Sequence, residues 1–161
     1  MNDRIAQLLA GARLDHFAMA VHDREKAVQF LAPILPGPVR RFEFNSTSKI
    51  YGRVTSYTLS IALIGLSDDV NLEIIETSGG ENEVHARFLR ERGEGIEHFG
   101  YEVDDIQASV RAFEAAGFPV ILIKHGAPPG SAYIDTTAVG GTITELIQKG
   151  FKPDDPSTWP K

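Results

Sequence analysis

The chain has 161 residues, 42% of them hydrophobic and 24% charged, which is the composition of a water-exposed folded domain with room for one core. A formal net charge of -6 argues against a nucleic-acid partner, and the absence of cysteine excludes disulfides, thiolate nucleophiles and thiolate metal sites. No apolar run approaches the roughly 20 residues a membrane helix needs, and the first residues lack the apolar core of a secretory signal, so no membrane partner and a cytoplasmic location are expected.

In chain order, "NDRIAQLLAGA" places Ile5, Leu8, Leu9 and Ala12 on one face of a helix over 2–12, with Asn2 or Asp3 as its cap. "LDHFAMAVHD" alternates as a strand, with Phe17, Met19 and Val21 on one face and His16, Ala18 and Ala20 on the other. Asp23 caps a helix through Ala27, Phe30 and Leu31 that ends before the prolines at 33, 36 and 38. Residues 39–77 are strand-rich, with breaks expected at "NSTSK" and "LSDD". "NEVHARFLRERG" is a helix within 81–93 that stops at Gly93 with arginines in its last turn. "GIEHFGYEV" is then a strand and "DIQASVRAFEAAG" a helix, followed by strands in "FPVILIKH", "GSAYIDT" and "GGTITELIQ" and a polar tail over 150–161.

The second half repeats the first. "LDHFAMAVHDREKAVQFL" aligns with "IEHFGYEVDDIQASVRAF", matching aliphatic 14/96, acidic 15/97, His16/His98, Phe17/Phe99, Val21/Val103 and Asp23/Asp105 at an offset of 82 positions. "LEIIET" aligns with "TELIQK" at an offset of 72, setting Glu73 over Glu145. Repeats define architecture, and this one predicts an α+β fold of two tandem βαβββ modules, 13–78 and 94–149, whose mixed sheet curves around a cleft within one domain spanning 1–149.

Each module therefore carries a histidine early in its first strand and a glutamate early in its last. The small neighbours Ala18, Ala20 and Gly100 leave the histidine face open, as room for a ligand. His16, Glu73, His98 and Glu145 are the candidate metal ligands, and two imidazoles with two carboxylates suit one divalent ion such as Zn, Co, Ni, Mn or Fe. Four protein donors in a six-coordinate shell leave two positions for water or substrate. His22, His85 and His125 lack repeat support and are expected at the surface or the cleft rim. Glu76 and Gln148 also recur, three residues beyond the glutamates, and are expected on the other side of the sheet.

These features resemble the vicinal-oxygen-chelate superfamily of glyoxalase I, methylmalonyl-CoA epimerase, extradiol dioxygenases and bleomycin-resistance proteins. The resemblance spans roughly 14–149 and is carried by "LDHFAMAVHDREKA", "VHARFLRERGEGIEHFGYEVDDIQASV" and "GGTITELIQ", the second being most similar to the epimerase branch. It implies metal ligation by His16, Glu73, His98 and Glu145. It also implies a lyase or isomerase that abstracts the proton alpha to a carbonyl through a metal-stabilised enolate, with Glu145 and Glu73 as the catalytic carboxylates. A small-molecule substrate, an acyl-CoA or thioester, and a homodimer are further implications. The alternatives are an extradiol-type Fe(II) dioxygenase, which uses two histidines and one carboxylate, and a metal-free resistance-type binding protein, which generally loses the ligand set. The epimerases have a second catalytic glutamate before a Gly-Val stretch. Here Ile50 and Tyr51 precede Gly52, the nearest acid is Glu43, and the loop over 125–135 matches the substrate-covering region only loosely.

Overall fold

The computed structural model describes residues 2–124 and 129–152, so His125 and the end of the tail lie outside the described residues. Its elements follow the repeat. A short helix α1 (Asn2–Leu8) precedes module one, which comprises β1 (Arg13–Ala20), α2 (Arg24–Leu31), β2 (Val39–Ile50), β3 (Arg53–Gly65) and β4 (Asn71–Gly80). The connecting helix α3 (Glu83–Arg92) leads to module two, with β5 (Gly95–Val103), α4 (Ile106–Ala115), β6 (Val120–Lys124), β7 (Ser131–Ile134) and β8 (Ile143–Gln148). No helix among the described residues is long and apolar enough to cross a membrane.

The helices begin where their caps dictate. Asp23 accepts from the Lys26 amide and Asp105 from the Ala108 amide, while Asn82 accepts from Val84 and His85, each satisfying orphan donors of a first turn. Ile106, Val110 and Phe113 form the buried stripe of α4 at helical spacing, and burying side chains of this size stabilises by about 1.5–3 kcal/mol each. Glu76 accepts from the Arg24 amide (2.9 Å) and Gln148 from the Ile106 amide (3.1 Å). Both therefore face the helices, as expected, and tie the last strand of each module to the start of its helix.

The eight strands close into a barrel in the order β1-β4-β3-β2-β6-β7-β8-β5. Within each module the first and last strands run parallel (β1 with β4, β5 with β8), and the remaining ladders are antiparallel. Curvature is thus carried to closure. One module joint, β1 with β5, pairs residues from Arg13 to Ala20 against Gly95 to Glu102. The other, β2 with β6, pairs Ser48 with Lys124, Lys49 with Ile123 and Ile50 with Leu122 among the described residues.

Two sequence expectations change. The helix expected over 2–12 is regular only for Asn2–Leu8, because Gly11 turns the chain at φ +84. The break expected at "NSTSK" is absent. β2 runs through it to a two-residue turn at Tyr51 (φ 45) and Gly52 (φ 83), the left-handed pair that matches hairpin twist, and every residue from Val39 to Ile50 pairs with β3. The expected α+β fold of two βαβββ modules with a curved mixed sheet is what the chain adopts, and the space inside the curve is narrow. Eight strands enclose just enough space for side chains, and Phe44, Tyr57, Leu59, Ile61, Ile75, Leu122, Tyr133 and Ile143 pack into one core cluster with Ala18.

Candidate metal centre

The four repeated residues meet inside the barrel, at the level where β1 lies beside both β4 and β5. His16, Glu73, His98 and Glu145 are all buried, and one donor atom from each lies within 4.8 Å of the others. His16 Nε2 is 3.3 Å from His98 Nε2, 3.3 Å from Glu73 Oε2 and 3.1 Å from Glu145 Oε2. His98 Nε2 is 3.3 Å from Glu145 Oε2 and 3.8 Å from Glu73 Oε2. All four come from one chain.

Each histidine is held from behind by the acid that precedes it. His16 Nδ1–H donates to Asp15 Oδ2 (3.0 Å), and His98 Nδ1–H donates to Glu97 Oε2 (3.0 Å). Adjacent strand residues ordinarily face opposite ways, so this needs a local irregularity. The β1/β5 register slips between Leu14 and His16, and again between Ala18 and Met19 where His98 and Ile96 are the partners. Asp15 and Glu97 are the residues skipped, one on each strand. A bulge re-aims a side chain, and here it turns each acid onto the ring beside it. The carboxylates fix the Nδ1–H tautomer, so both Nε2 lone pairs point inward.

Two imidazole nitrogens and two carboxylate oxygens thus converge in a buried space, an arrangement that suits a cation. Donors about 2.1 Å from a common ion stand about 3.0–3.4 Å apart at angles of 90–109°, which four of the five distances match. The residues therefore fit a divalent ion. Without one, protons fill the role. Burial opposes charge on His16, but Glu73, Asp15 and Glu145 outweigh it and raise its pKa to about 10. His98 is likewise raised, burial being outweighed by Glu145 and Glu97. Burial favours protonation of Glu145, yet Lys124, His16 and His98 hold it well below the usual carboxylate range.

The structure corrects two readings of the histidine surroundings. Gly100 is not room for a ligand: it pairs with His16, whose ring lies so close that a Cβ at 100 would stand 2.3 Å from Cε1. His85, expected at the surface or rim, is 1% exposed. Its Nδ1–H donates to Glu97 Oε2 at 2.8 Å, so Glu97 bridges His85 and His98. The balance of burial against His85 and His98 brings the Glu97 pKa down to about 2. His22 is exposed, as expected. Glu43 does not reach the site; it accepts from Ser60 (2.8 Å) and pairs with Arg24 on the outer face.

His16, Glu73 and Glu145 line a cavity of about 60 Å³, together with Asp15, Leu59, Ile61, Lys124, Tyr133 and Phe151, while His98 is buried beside it. Tyr133 Oη is 3.5 Å from His98 Nε2, and burial followed by Glu145, Glu97 and Glu73 keeps its phenol protonated. Lys124 and Tyr133 were not singled out from the sequence. Lys124 nonetheless carries a signal there, as a charge sharing the alternating face of Leu122 in an otherwise apolar strand.

Several known proteins are similar to this chain. Human mitochondrial methylmalonyl-CoA epimerase is 25% identical over 141 residues, covering 84% of this chain and 73% of that protein. The methylmalonyl-CoA epimerase from Mycobacterium tuberculosis superposes with a TM-score of 0.59 at 23% identity, covering 84% of this chain and 86% of the other. A Streptomyces coelicolor methylmalonyl-CoA epimerase variant in complex with 2-nitronate-propionyl-CoA gives 0.60 at 20% identity, with coverages of 86% and 98%. At these identities the structural matches establish the fold. The family model for the Glyoxalase/Bleomycin resistance protein/Dioxygenase superfamily matches residues 15–135, most of both modules, and the chain belongs to that superfamily.

Proposed function

We propose that this protein is a divalent-metal enzyme that removes and returns the proton alpha to a carbonyl. It would act on a small acyl-CoA or thioester in the manner of methylmalonyl-CoA epimerase or glyoxalase I. The observation that carries the proposal is the convergence of one donor atom each from His16, Glu73, His98 and Glu145 within 4.8 Å of one another, with both imidazoles locked to present Nε2. The similarity to epimerases, one of them holding a propionyl-CoA analogue, supports the thioester.

His16, Glu73, His98 and Glu145 would hold the ion. Bound there, a divalent ion supplies a Lewis acid that polarises the substrate carbonyl and lowers the cost of the charge formed as the alpha proton leaves. The chain supplies the proton acceptors and the enclosure. Glu73 and Glu145 come from equivalent strands of the two modules, so they approach from two sides. One takes a proton from one face of the carbon and the other returns it to the opposite face, which is what an epimerase requires. With no acid on the inner face of β2, these two carboxylates carry both roles. Asp15 and Glu97 hold the histidines in register, and the apolar wall of Leu59, Ile61, Leu63 and Ile75 excludes water from the reacting carbon. A fourth donor in the cluster counts against the three-donor oxygenase site, and the intact quartet counts against a metal-free binding protein.

Elemental analysis should find one divalent ion per chain, and His98→Ala retaining it at full occupancy would overturn the ligand assignment. Incubation with methylmalonyl-CoA in deuterium oxide should wash deuterium into the alpha position. No wash-in, together with turnover of a hemithioacetal, would move the assignment to the glyoxalase reaction. Neither activity in the metal-loaded protein would refute both.

A further inference from the structure

The acid behind His98 is itself gripped, and the acid behind His16 is gripped far less. His85 is the third residue of α3, where Asn82 fixes the backbone by accepting from the Val84 amide (3.1 Å) and the His85 amide (3.4 Å). From that turn the imidazole enters the barrel, and its Nδ1 stands 2.8 Å from Glu97 Oε2 and 3.0 Å from Oε1. One N–H thus lies against both oxygens and sets the plane of the carboxylate. The Glu97 side chain is 0% exposed, and its Oε2 also receives the His98 Nδ1–H. In module one the Asp15 side chain is 33% exposed, and besides His16 it meets the exposed Arg13 at 3.4 Å.

Packing alone does not account for an imidazole at 85. Its Nε2 is buried with no hydrogen-bond partner among the described residues. A buried nitrogen without a partner costs free energy that leucine or phenylalanine would avoid. What the imidazole adds over those side chains is the Nδ1–H against Glu97. The proton transfer described above does not use His85, which stands behind Glu97 and outside the cavity that the donors line.

On the metal-binding part of the proposed function, we infer that His85 is a positioning residue that fixes the His98 ring through Glu97 and makes the connecting helix α3 part of the metal centre. The grip passes from His85 Nδ1–H to the Glu97 carboxylate, then to His98 Nδ1–H. It ends at the His98 Nε2 that faces His16 and Glu145. His16 is backed only by a partly solvated acid. His98 is therefore the donor whose direction is set before an ion arrives, and His16 is the one that adjusts.

The test is cobalt affinity by competition with a chromophoric chelator, with a thermal melt of each variant. His85→Leu and His85→Phe remove the N–H and should each bind cobalt about 10-fold more weakly than wild type. His85→Asn keeps an N–H near the Nδ1 position and should stay within a few fold. With Glu97→Gln already in place the path is broken, so adding His85→Leu should cost no more than about 2-fold further. Val84→Ala removes packing from the neighbouring buried residue of α3 and should leave cobalt affinity within about 2-fold of wild type. Wild-type affinity in either apolar variant, or an asparagine variant as weak as they are, overturns the inference. So does an undiminished further loss in the Glu97→Gln background, or an equal loss in Val84→Ala, since His85 would then act through packing. Should neither apolar variant fold, wild type decides. Its His85 Nδ1–H signal in histidine 15N–1H spectra should move with that of His98 as zinc is added, and a stationary His85 signal overturns the inference. Cobalt bound by wild type and equally by the variants sinks this inference alone. No cobalt taken up by wild type refutes the metal-dependent function and this inference with it.

Discussion

Replacing Gly100 with alanine adds one methyl group in the middle of the site. The new Cβ would stand 2.3 Å from His16 Cε1, 2.6 Å from Nε2 and 2.7 Å from Nδ1, where ordinary contact begins at 3.4 Å. The ring must therefore retreat by about 1 Å or the β1/β5 joint must spread. Metal–ligand distances hold to about ±0.2 Å, so a shift of that size removes His16 from the donor set. Misplacing a supporting group already costs about 10–100-fold in metal affinity, and losing a ligand should reach about 100-fold or more. Overpacking should also lower stability by about 1–3 kcal/mol. Gly100 is not among the positive-φ residues, so alanine brings no backbone strain and the effect is steric. Gly95→Ala is the matched control, in the same strand with nothing within 4 Å of its Cβ. The assay is competition for zinc or cobalt against a chromophoric chelator, with thermal melts of both variants. Wild-type metal affinity in Gly100→Ala, or an equal loss in Gly95→Ala, would refute the steric reasoning.

Glu97→Gln leaves one amide oxygen for two imidazole N–H donors, so metal affinity should fall about 10–100-fold, and by more than in Asp15→Asn, whose site is partly solvated; equal chelator-competition constants for the two would count against it. In the metal-free protein His16 is raised from 6.5 to about 10, so its stabilising contribution is complete below pH 6.5 and is lost as pH rises through 10. Over that window apparent metal affinity should climb with pH as the ion displaces the proton, and chelator-treated melts together with metal titrations at several pH values check both signs. Glu73→Gln and Glu145→Gln should each abolish epimerisation by about 10²–10⁴-fold while exchange into one epimer persists, read by deuterium incorporation with chiral analysis of the product. Loss of exchange from both epimers in either variant, with metal retained, would rule out a two-carboxylate mechanism.

Much of this site is visible in the sequence because it is written twice. His16/His98 and Glu73/Glu145 stand at equivalent module positions, and the topology that pairs β1 with both β4 and β5 brings equivalent positions together. The acids at 15 and 97 also recur, but strict strand alternation places neighbours on opposite faces, so their grip on the rings is readable only once the bulges are seen. His85 has no counterpart in module one, and its partner Glu97 lies on a different element, so nothing local distinguishes it from a surface histidine. The openness inferred from Ala18, Ala20 and Gly100 was misplaced for a related reason. Small residues on one strand show that something approaches, but they do not say whether it is a ligand or, as at Gly100, the imidazole of the next strand.

The two module joints have different mechanical consequences. β1 and β5 are laced along most of their length, whereas among the described residues β2 and β6 meet over three residue pairs. Opening free energy within a native structure tracks local pairing and burial, so the short joint is where the barrel should part first. Amide hydrogens of residues 48–50 and 122–124 are expected to exchange with solvent faster than those of 16–19 and 96–99, by an unfolding that leaves the metal donors seated. The barrel then behaves as a ring with one strong seam bearing the four donors and one weaker seam beside Lys124, which can part while the donors stay in register.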